Sequence, residues 1–406
     1  MKRIILSISP LLVICGAACG LVNHPNELVI ARIQESPVSF PMKVVLFGDN
    51  YSVNSTFRQI VGQINLISDS ISFAINAGDI AAGGGEEGYR AYINLIDSLE
   101  VPLISVIGNH EMNEPGGMER YLEYFGNPNF YFDYDRFRFI FLQDTHPADS
   151  GVSAGENVYY MLTPAQLDLL EGLLSEDTSK TTFVFMHCPA AIIGHYPRVA
   201  TLGGPYYTPS GLEESGSQRF TDLARDHNVR LVGFGHLHCY DLYQPNDEEY
   251  GDAIYIITGG AGAALNPWLY DAPYGGMLHH FLVLELHEDG GISVHLVRPA
   301  PDVQYDPAYE QYFPPRTEIE EEMITPEGIS LFAFPNPFNS ECKIECKGNI
   351  NLQKLEIFNI KGEKIEEFTP SSGYVIWKAE NIPSGVYIIR AKAGEIQRET
   401  KVLLLQ

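Results

Sequence analysis

The chain has 406 residues, 45% of them apolar, more than one compact domain usually holds and enough to build a sizeable core, so two or more domains are expected. Twenty-six Lys and Arg stand against 52 Asp and Glu, a net charge of -26, which repels phosphate backbones at long range and argues against nucleic acid as a tight partner. Lys2 and Arg3 precede an apolar run from Ile4 to Ala18 that ends in small residues, "CGAACG". Residues 1–20 therefore read as a secretory signal peptide. About 15 apolar residues are few for a membrane span, and no later run is longer, so no transmembrane segment is expected. Cys19 has Gly16 three positions before it, a weak context for lipidation. The later cysteines, Cys188, Cys239, Cys342 and Cys346, are too few for a disulfide framework. Cys188 and Cys239 read as facing partners or as two small buried residues.

In chain order, "KVVLF" is an apolar strand, and Phe57, Ile60, Val61 and Ile64 follow at helical spacing. "ISFAIN", a helix around Tyr89 to Leu99, and "PLISVI" repeat the unit, which points to a layered α/β core. Thr163, Pro164 and Gln166 form a capping box that predicts a helix through Leu174. "FRFIFL", "TTFVFM", "VRLVGF", "AIYIIT", "HFLVLEL" and "ISVHLV" supply further strands, the later ones close enough for antiparallel pairing. Residues 301–328 carry eight acidic residues and a single arginine, Arg316, with little apolar periodicity, and read as an acidic, Pro-rich solvated linker. Residues 329–406 change composition again, with ten basic against nine acidic residues and no histidine. Their short apolar runs, separated by Gly, Asn and Pro turns, predict a small all-β sandwich of about seven strands.

Each of five strand ends carries a candidate ligand: Asp49 in "FGDN", Asp79 in "AGDI", Asn109 and His110 in "GNHE", His187 in "VFMHCP", and His236 and His238 in "GHLH". Strand exits of this kind share one rim. Taken singly, Asp49 and Asp79 are also ordinary turn residues, His187 an ordinary core histidine, and "GHLH" an ordinary surface loop. Their joint occurrence in order favours a dinuclear site, in which two ions about 3.5 to 4 Å apart need a bridging carboxylate such as Asp79. Mixed Asp, Asn and His ligation predicts transition metals rather than calcium. Glycines 48, 78, 108 and 235 directly precede four of the ligands, which suggests a sharp backbone turn there with room for substrate. "GGGEEG" at 83–88 lacks the Lys-Ser/Thr of a phosphate loop, and "TGGAGA" at 258–263 opens no helical pattern. His195, in a Gly-, Pro- and Tyr-rich stretch, reads as a pocket-lining residue or as part of a plain connection.

This ordered series, GD, GD, GNH plus an acidic residue, a lone His and GHxH, resembles the calcineurin-like metallophosphoesterases, which include purple acid phosphatases. The resemblance covers residues 42–300 and implies a two-sheet sandwich flanked by helices. It implies two divalent or trivalent transition metal ions, Fe, Mn or Zn. Asp49, Asp79 and His238 would hold the first, and Asp79, Asn109, His187 and His236 the second. It implies hydrolysis of a phosphate ester by a metal-bridging hydroxide, with His110 as general acid or donor to the phosphoryl oxygen. The family's first motif usually has His two positions after Asp, where this chain has Tyr51, and Ala82 stands where some members place a tyrosine. Tyr51 then reads as a phenolate ligand, as a partner of a metal-bound water, or as a packing residue. The alternatives are a phosphodiesterase or nucleotidase of the same fold, or a non-catalytic surface binding protein with an incomplete metal site. "FPNPFN" at 334–339, "LEIFNIKGEKI" and "SGVYIIRA" resemble the C-terminal sorting domain of type IX secretion substrates. That resemblance implies the secretion machinery as a partner and a secreted or cell-surface bacterial protein.

Overall fold

A computed structural model describes residues 24–112, 115–147, 158–190, 216–227, 229–246, 250–265 and 275–316, and most of 330–404. The signal-peptide reading, Cys19 and the stretch around His195 lie outside the described residues. The chain falls into two compact units, Met1–Pro315 and Arg316–Gln406.

In the first unit, α1 (Asn26–Glu35) leads into β1 (Met42–Phe47), α2 (Ser55–Leu66), β2 (Phe73–Asn76), α3 (Glu86–Ile96), β3 (Leu103–Ser105) and α4 (Gly117–Phe125). Then come β4 (Phe130–Tyr134), β5 (Phe137–Phe141), β6 (Thr145–Pro147), β7 (Val158–Tyr160), α5 (Pro164–Glu176) and β8 (Thr181–Phe185). The unit ends with α6 (Ser217–Asp226), β9 (Val229–Phe234), β10 (Tyr240–Tyr243), β11 (Ile254–Thr258), β12 (Phe281–Leu286), β13 (Ile292–Val297) and β14 (Gln311–Phe313). One sheet has the order β14-β13-β12-β1-β2-β3 and the other β10-β11-β9-β8-β5-β4. In the first, β1, β2 and β3 are mutually parallel; in the second, β5, β8, β9 and β11 are. The later strands do pair antiparallel, β12 with both β1 and β13.

The two-residue period of a strand sorts β1 between two cores. Val44 and Leu46 join Phe73, Phe139, Phe183 and Leu231 in one buried cluster, whereas Val45 and Phe47 join Phe57, Ile60, Tyr92 and Ile93 from the helices in another. Phe73 of one sheet meets Phe132 and Phe139 of the other edge-on, at centroid separations of 5.8 and 5.1 Å. With both faces covered, the parallel strands are mostly apolar, with Asn76, Arg138 and Arg230 among the buried polar exceptions. Helix α1 was not foreseen, because its sequence has little regular apolar spacing. It is pinned by buried Asn26, whose amide exchanges hydrogen bonds with the backbone N–H and carbonyl of Ser105 at 3.1 Å each.

The expected linker departs from its reading. Its first part stays with the first unit, where β14 pairs with β13 and Phe313 is buried, while the Tyr305 ring stacks on His295 at 4.3 Å. The aromatic residues between the prolines decide this, since composition averaged over the stretch hides them. The second unit holds β15 (Ser330–Phe334), β16 (Glu341–Lys347), β17 (Lys354–Asn359), β18 (Lys364–Phe368), β19 (Tyr374–Lys378), β20 (Gly385–Ala393) and β21 (Ile396–Leu404). They form sheets β15-β16-β19 and β18-β17-β20-β21 around Trp377, Phe338, Ile357 and Ile389. Cys188, Cys239 and Cys342 are free and buried, so the facing-disulfide reading of Cys188 and Cys239 fails. Among the described residues no helix is long and apolar enough to cross a membrane.

The capping box at α5 forms as expected: Thr163 Oγ1 accepts from Gln166 N, and Gln166 Oε1 accepts from Thr163 N at 2.9 Å. Thr163→Ala is expected to lower stability by about 1 kcal/mol in urea unfolding, with no change in m-value.

Candidate metal centre

The parallel strands deliver their carboxyl ends to one place. Asp49 follows β1, Asp79 follows β2, Asn109 follows β3, His187 follows β8, and His236 and His238 follow β9. One atom from each of Asp49, Asp79 and His187 lies within 4.8 Å of the others, and all three residues are buried. Asn109 Oδ1 lies 3.0 Å from His187 Nε2 and 2.9 Å from His236 Nδ1, and Asp79 Oδ1 is 3.3 Å from the same His187 nitrogen. His238 Nε2 stands 3.5 Å from Asp49 Oδ1. The six ligand candidates are therefore brought together. They divide into Asn109, His187 and His236 on one side and Asp49 and His238 on the other, with Asp79 close to both Asp49 and His187. His110 is half-buried at the rim, its Nε2 3.9 Å from Asp79 Oδ2.

Backbone geometry aims these side chains. Asp49, Tyr51, Asp79 and His236 have φ of 59°, 60°, 53° and 65°, four of the six left-handed non-glycine residues among the described ones. Such strain persists only where its surroundings enforce it, and it gathers at functional sites. The glycines act differently from the expectation. Of the four preceding the ligands, only Gly78 has a left-handed φ, 103°, and their main service is close approach. A Cβ on Gly108 would lie 2.3 Å from Asp79 Oδ1, and one on Gly235 2.5 Å from Asp49 Oδ2. The space saved at Gly78, Gly108 and Gly235 is filled by atoms of His187, Asp79 and Asp49 and is not left for substrate.

The residues fit a metal cluster on their own chemistry. Asp49 Oδ1 is buried without a hydrogen-bond partner among the described residues, while Oδ2 accepts from His236 N at 2.9 Å. His187 Nδ1 donates to the Ala77 carbonyl at 2.8 Å and His238 Nδ1 to that of Ala264 at 2.8 Å, which turns both Nε2 atoms inward as lone-pair donors. Burial would lower the His187 imidazole, yet the charges of Asp79 and Asp49 raise it to about 10. Burial, together with the neighbouring His187, drops His236 to about 3. Burial alone would raise Asp79, but His187 and His110 hold it well below the usual carboxylate range.

Two residues that sequence reasoning left without a role support this cluster. Glu111, the acidic residue of "GNHE", is fully buried and accepts from the backbone N–H groups of Asp79, Ala81 and Gly108 at 3.0, 2.9 and 2.7 Å. It ties the second ligand loop to the third. Burial and the Asp79 charge push its carboxyl up to about 8, against the pull of those donors. Asp144, just past β5, is buried, pushed up to about 7 by that burial, and accepts from Cys188 N at 2.6 Å. The "GNHE" spacing marked Glu111 as noteworthy, whereas nothing local marks Asp144. "GGGEEG" serves packing: a Cβ on Gly84 would lie 2.0 Å from the Glu111 carbonyl. Tyr51 resolves into a contact with His110: its hydroxyl is hydrogen-bonded to His110 Nε2, and its ring packs on that imidazole at 4.3 Å. Glu111→Gln places an NH2 against backbone donors and is expected to cost about 2 kcal/mol or more. The measurements are urea unfolding and manganese bound per chain, and both should fall.

Residues 42–240 match the calcineurin-like phosphoesterase model and residues 333–405 the secretion system C-terminal sorting domain model. A probable cyclic nucleotide phosphodiesterase of Xenorhabdus bovienii is 28% identical over 187 residues, 44% of this chain and 65% of its own. The purple acid phosphatase PPD1 of yellow lupin superposes with a TM-score of 0.51 at 17% identity, over 68% of this chain and 54% of its own. GAP50 of the Plasmodium inner membrane complex gives 0.45 at 14%, over 68% and 90%. The chain thus spans less than two thirds of the length of the phosphodiesterase and of the lupin enzyme. Residues 42–240 are a calcineurin-like phosphoesterase domain, and residues 333–405 are a secretion-system C-terminal sorting domain.

Proposed function

We propose that the protein is an exported phosphoric ester hydrolase that works with two transition metal ions, Fe, Mn or Zn. The observation that carries this reading is the convergence of Asp49, Asp79, Asn109, His187, His236 and His238 from five strand ends onto one cluster with a buried centre at Asp49, Asp79 and His187. Asp49 and His238 would hold one ion, Asn109, His187 and His236 the other, and the Asp79 carboxylate would serve both. Ions bound there supply an activated water and neutralise charge on the phosphoryl oxygens.

The chain's own residues supply the rest. The Ala77 and Ala264 carbonyls fix the tautomers of His187 and His238. The N–H groups of His110 and His236 hold one oxygen each of Asp79 and Asp49, which leaves the second oxygens for ligation. His110, at the rim and the more accessible partner of Asp79, would give a proton to the leaving oxygen or a hydrogen bond to the phosphoryl oxygen. A diester substrate is the second reading, favoured by the likeness to the Xenorhabdus phosphodiesterase. The sorting domain supports export through the type IX machinery to the medium or the cell surface.

Purified protein with manganese is expected to hydrolyse nitrophenyl phosphate monoesters or diesters, and Asn109→Ala or His236→Ala should lower kcat by at least about a hundredfold with loss of bound metal. Full metal content with no turnover of either ester would instead favour a non-catalytic binding protein. Deletion of residues 329–406 should leave the phosphoesterase unit inside the cell envelope, read by cell fractionation; unchanged export would remove the sorting role.

A further inference from the structure

Tyr51 is the point at which the ligand series departs from its family pattern, and the structure gives it specific surroundings. Its backbone is strained, φ 60°, and clamped on both sides: the N–H donates to the Asp79 carbonyl at 2.9 Å, and the carbonyl accepts from Ala82 N at 2.6 Å. The side chain is thereby carried from the first ligand loop across to the third. Its hydroxyl meets His110 Nε2, its ring lies 4.3 Å from the His110 ring, and the His238 ring packs against it edge-on at 5.4 Å.

We propose that Tyr51 is a positioning residue that holds the His110 imidazole against the metal cluster, and that it is not itself a metal ligand. The proposal rests on the phosphoesterase reading for its kinetic consequence, not for the placement. A phenol ligand would have to turn its oxygen toward Asp49 and His238, whereas here the oxygen is at the His110 nitrogen that faces Asp79 Oδ2. Tyrosine suits such a clamp because its ring is rigid, with two torsions, and its polar tip needs a partner when half-buried. Backbone strain at a non-glycine residue is retained where the side chain must point one way.

The test compares wild type, Tyr51→Phe, His110→Ala and the double variant, each loaded with manganese. Calorimetry and metal analysis give ions per chain and affinity. Steady-state rates are taken on a nitrophenyl ester and on an alkyl ester, whose alcohol leaves poorly without a proton. Tyr51→Phe is expected to keep the wild-type metal content. It should lower kcat on the alkyl ester about tenfold at constant KM and on the nitrophenyl ester by less than about threefold. In the His110→Ala background it should lower neither further. Loss of one ion per chain in Tyr51→Phe would make Tyr51 a ligand and overturn the proposal. So would unchanged rates on both esters, or equal losses with and without His110. If wild type turns over neither ester, the phosphoesterase reading fails by itself. The placement is then decided by metal content and by the ring-nitrogen NMR signals of His110, which Tyr51→Phe must move; unmoved signals overturn it.

Discussion

Two carboxylates, Asp49 and Asp79, are buried side by side, and the phosphoesterase unit is organised around that cost. Taking an ionised carboxylate out of water is expensive, and a second one beside it adds repulsion. Part of the cost is offset by backbone N–H groups, one from His236 to Asp49 and one from His110 to Asp79. The His187 imidazole lies against them, and the charges of Asp79 and Asp49 raise it. Ligation requires a neutral imidazole, so a cation entering the cluster takes over a charge that a proton otherwise carries. Bound ions would invert the local electrostatics and tie the stability of the ligand loops to occupancy.

The sheets make this arrangement possible. Parallel strands put all their carboxyl ends on one edge, and two such sheets face to face bring the edges of β1, β2 and β3 opposite those of β8 and β9. Aromatic packing between the sheets fixes their separation and hence the distances in the cluster. The ligand candidates then sit two to four residues beyond a rigid strand, with Asp49, Asp79 and His236 in left-handed backbone, and Gly108 and Gly235 make room for the Asp79 and Asp49 carboxylates. Precision comes from the strands and direction from the strained turns.

Much of this was legible from local signals. The ligand series was readable because each ligand immediately follows a dense apolar run, and the α5 boundary because Thr163 and Gln166 cap locally. What escaped depends on contacts distant in sequence. Helix α1 is held by Asn26 bonding Ser105 across 79 residues, and its own spacing says little. Asp144 earns its buried position from Cys188, 44 residues on. The 301–315 stretch looked solvated because its prolines and acids outnumber the few aromatic residues that pack. Glu111 was visible as a letter of a motif, but its work on three backbone N–H groups appears only when two loops meet.

The two halves of the cluster differ in a way that bears on where chemistry takes place. Asn109, His187 and His236 converge tightly, with Asn109 and His187 almost wholly removed from solvent. The other half is looser. Asp49 has an unsatisfied oxygen, His238 is partly exposed, and Tyr51 stands where another imidazole would complete the ligand set but turns its hydroxyl to His110. On the proposed metal assignment, fewer protein ligands on that side would leave more of the coordination sphere to water and substrate oxygens, and His110 packs against Tyr51 there. On the proposed assignment, one ion would be held by Asn109, His187 and His236, and the ester would be received on the Asp49 side beside His110. On that reading, the tyrosine that stands in place of a ligand on the Asp49 side would also be the residue that positions His110.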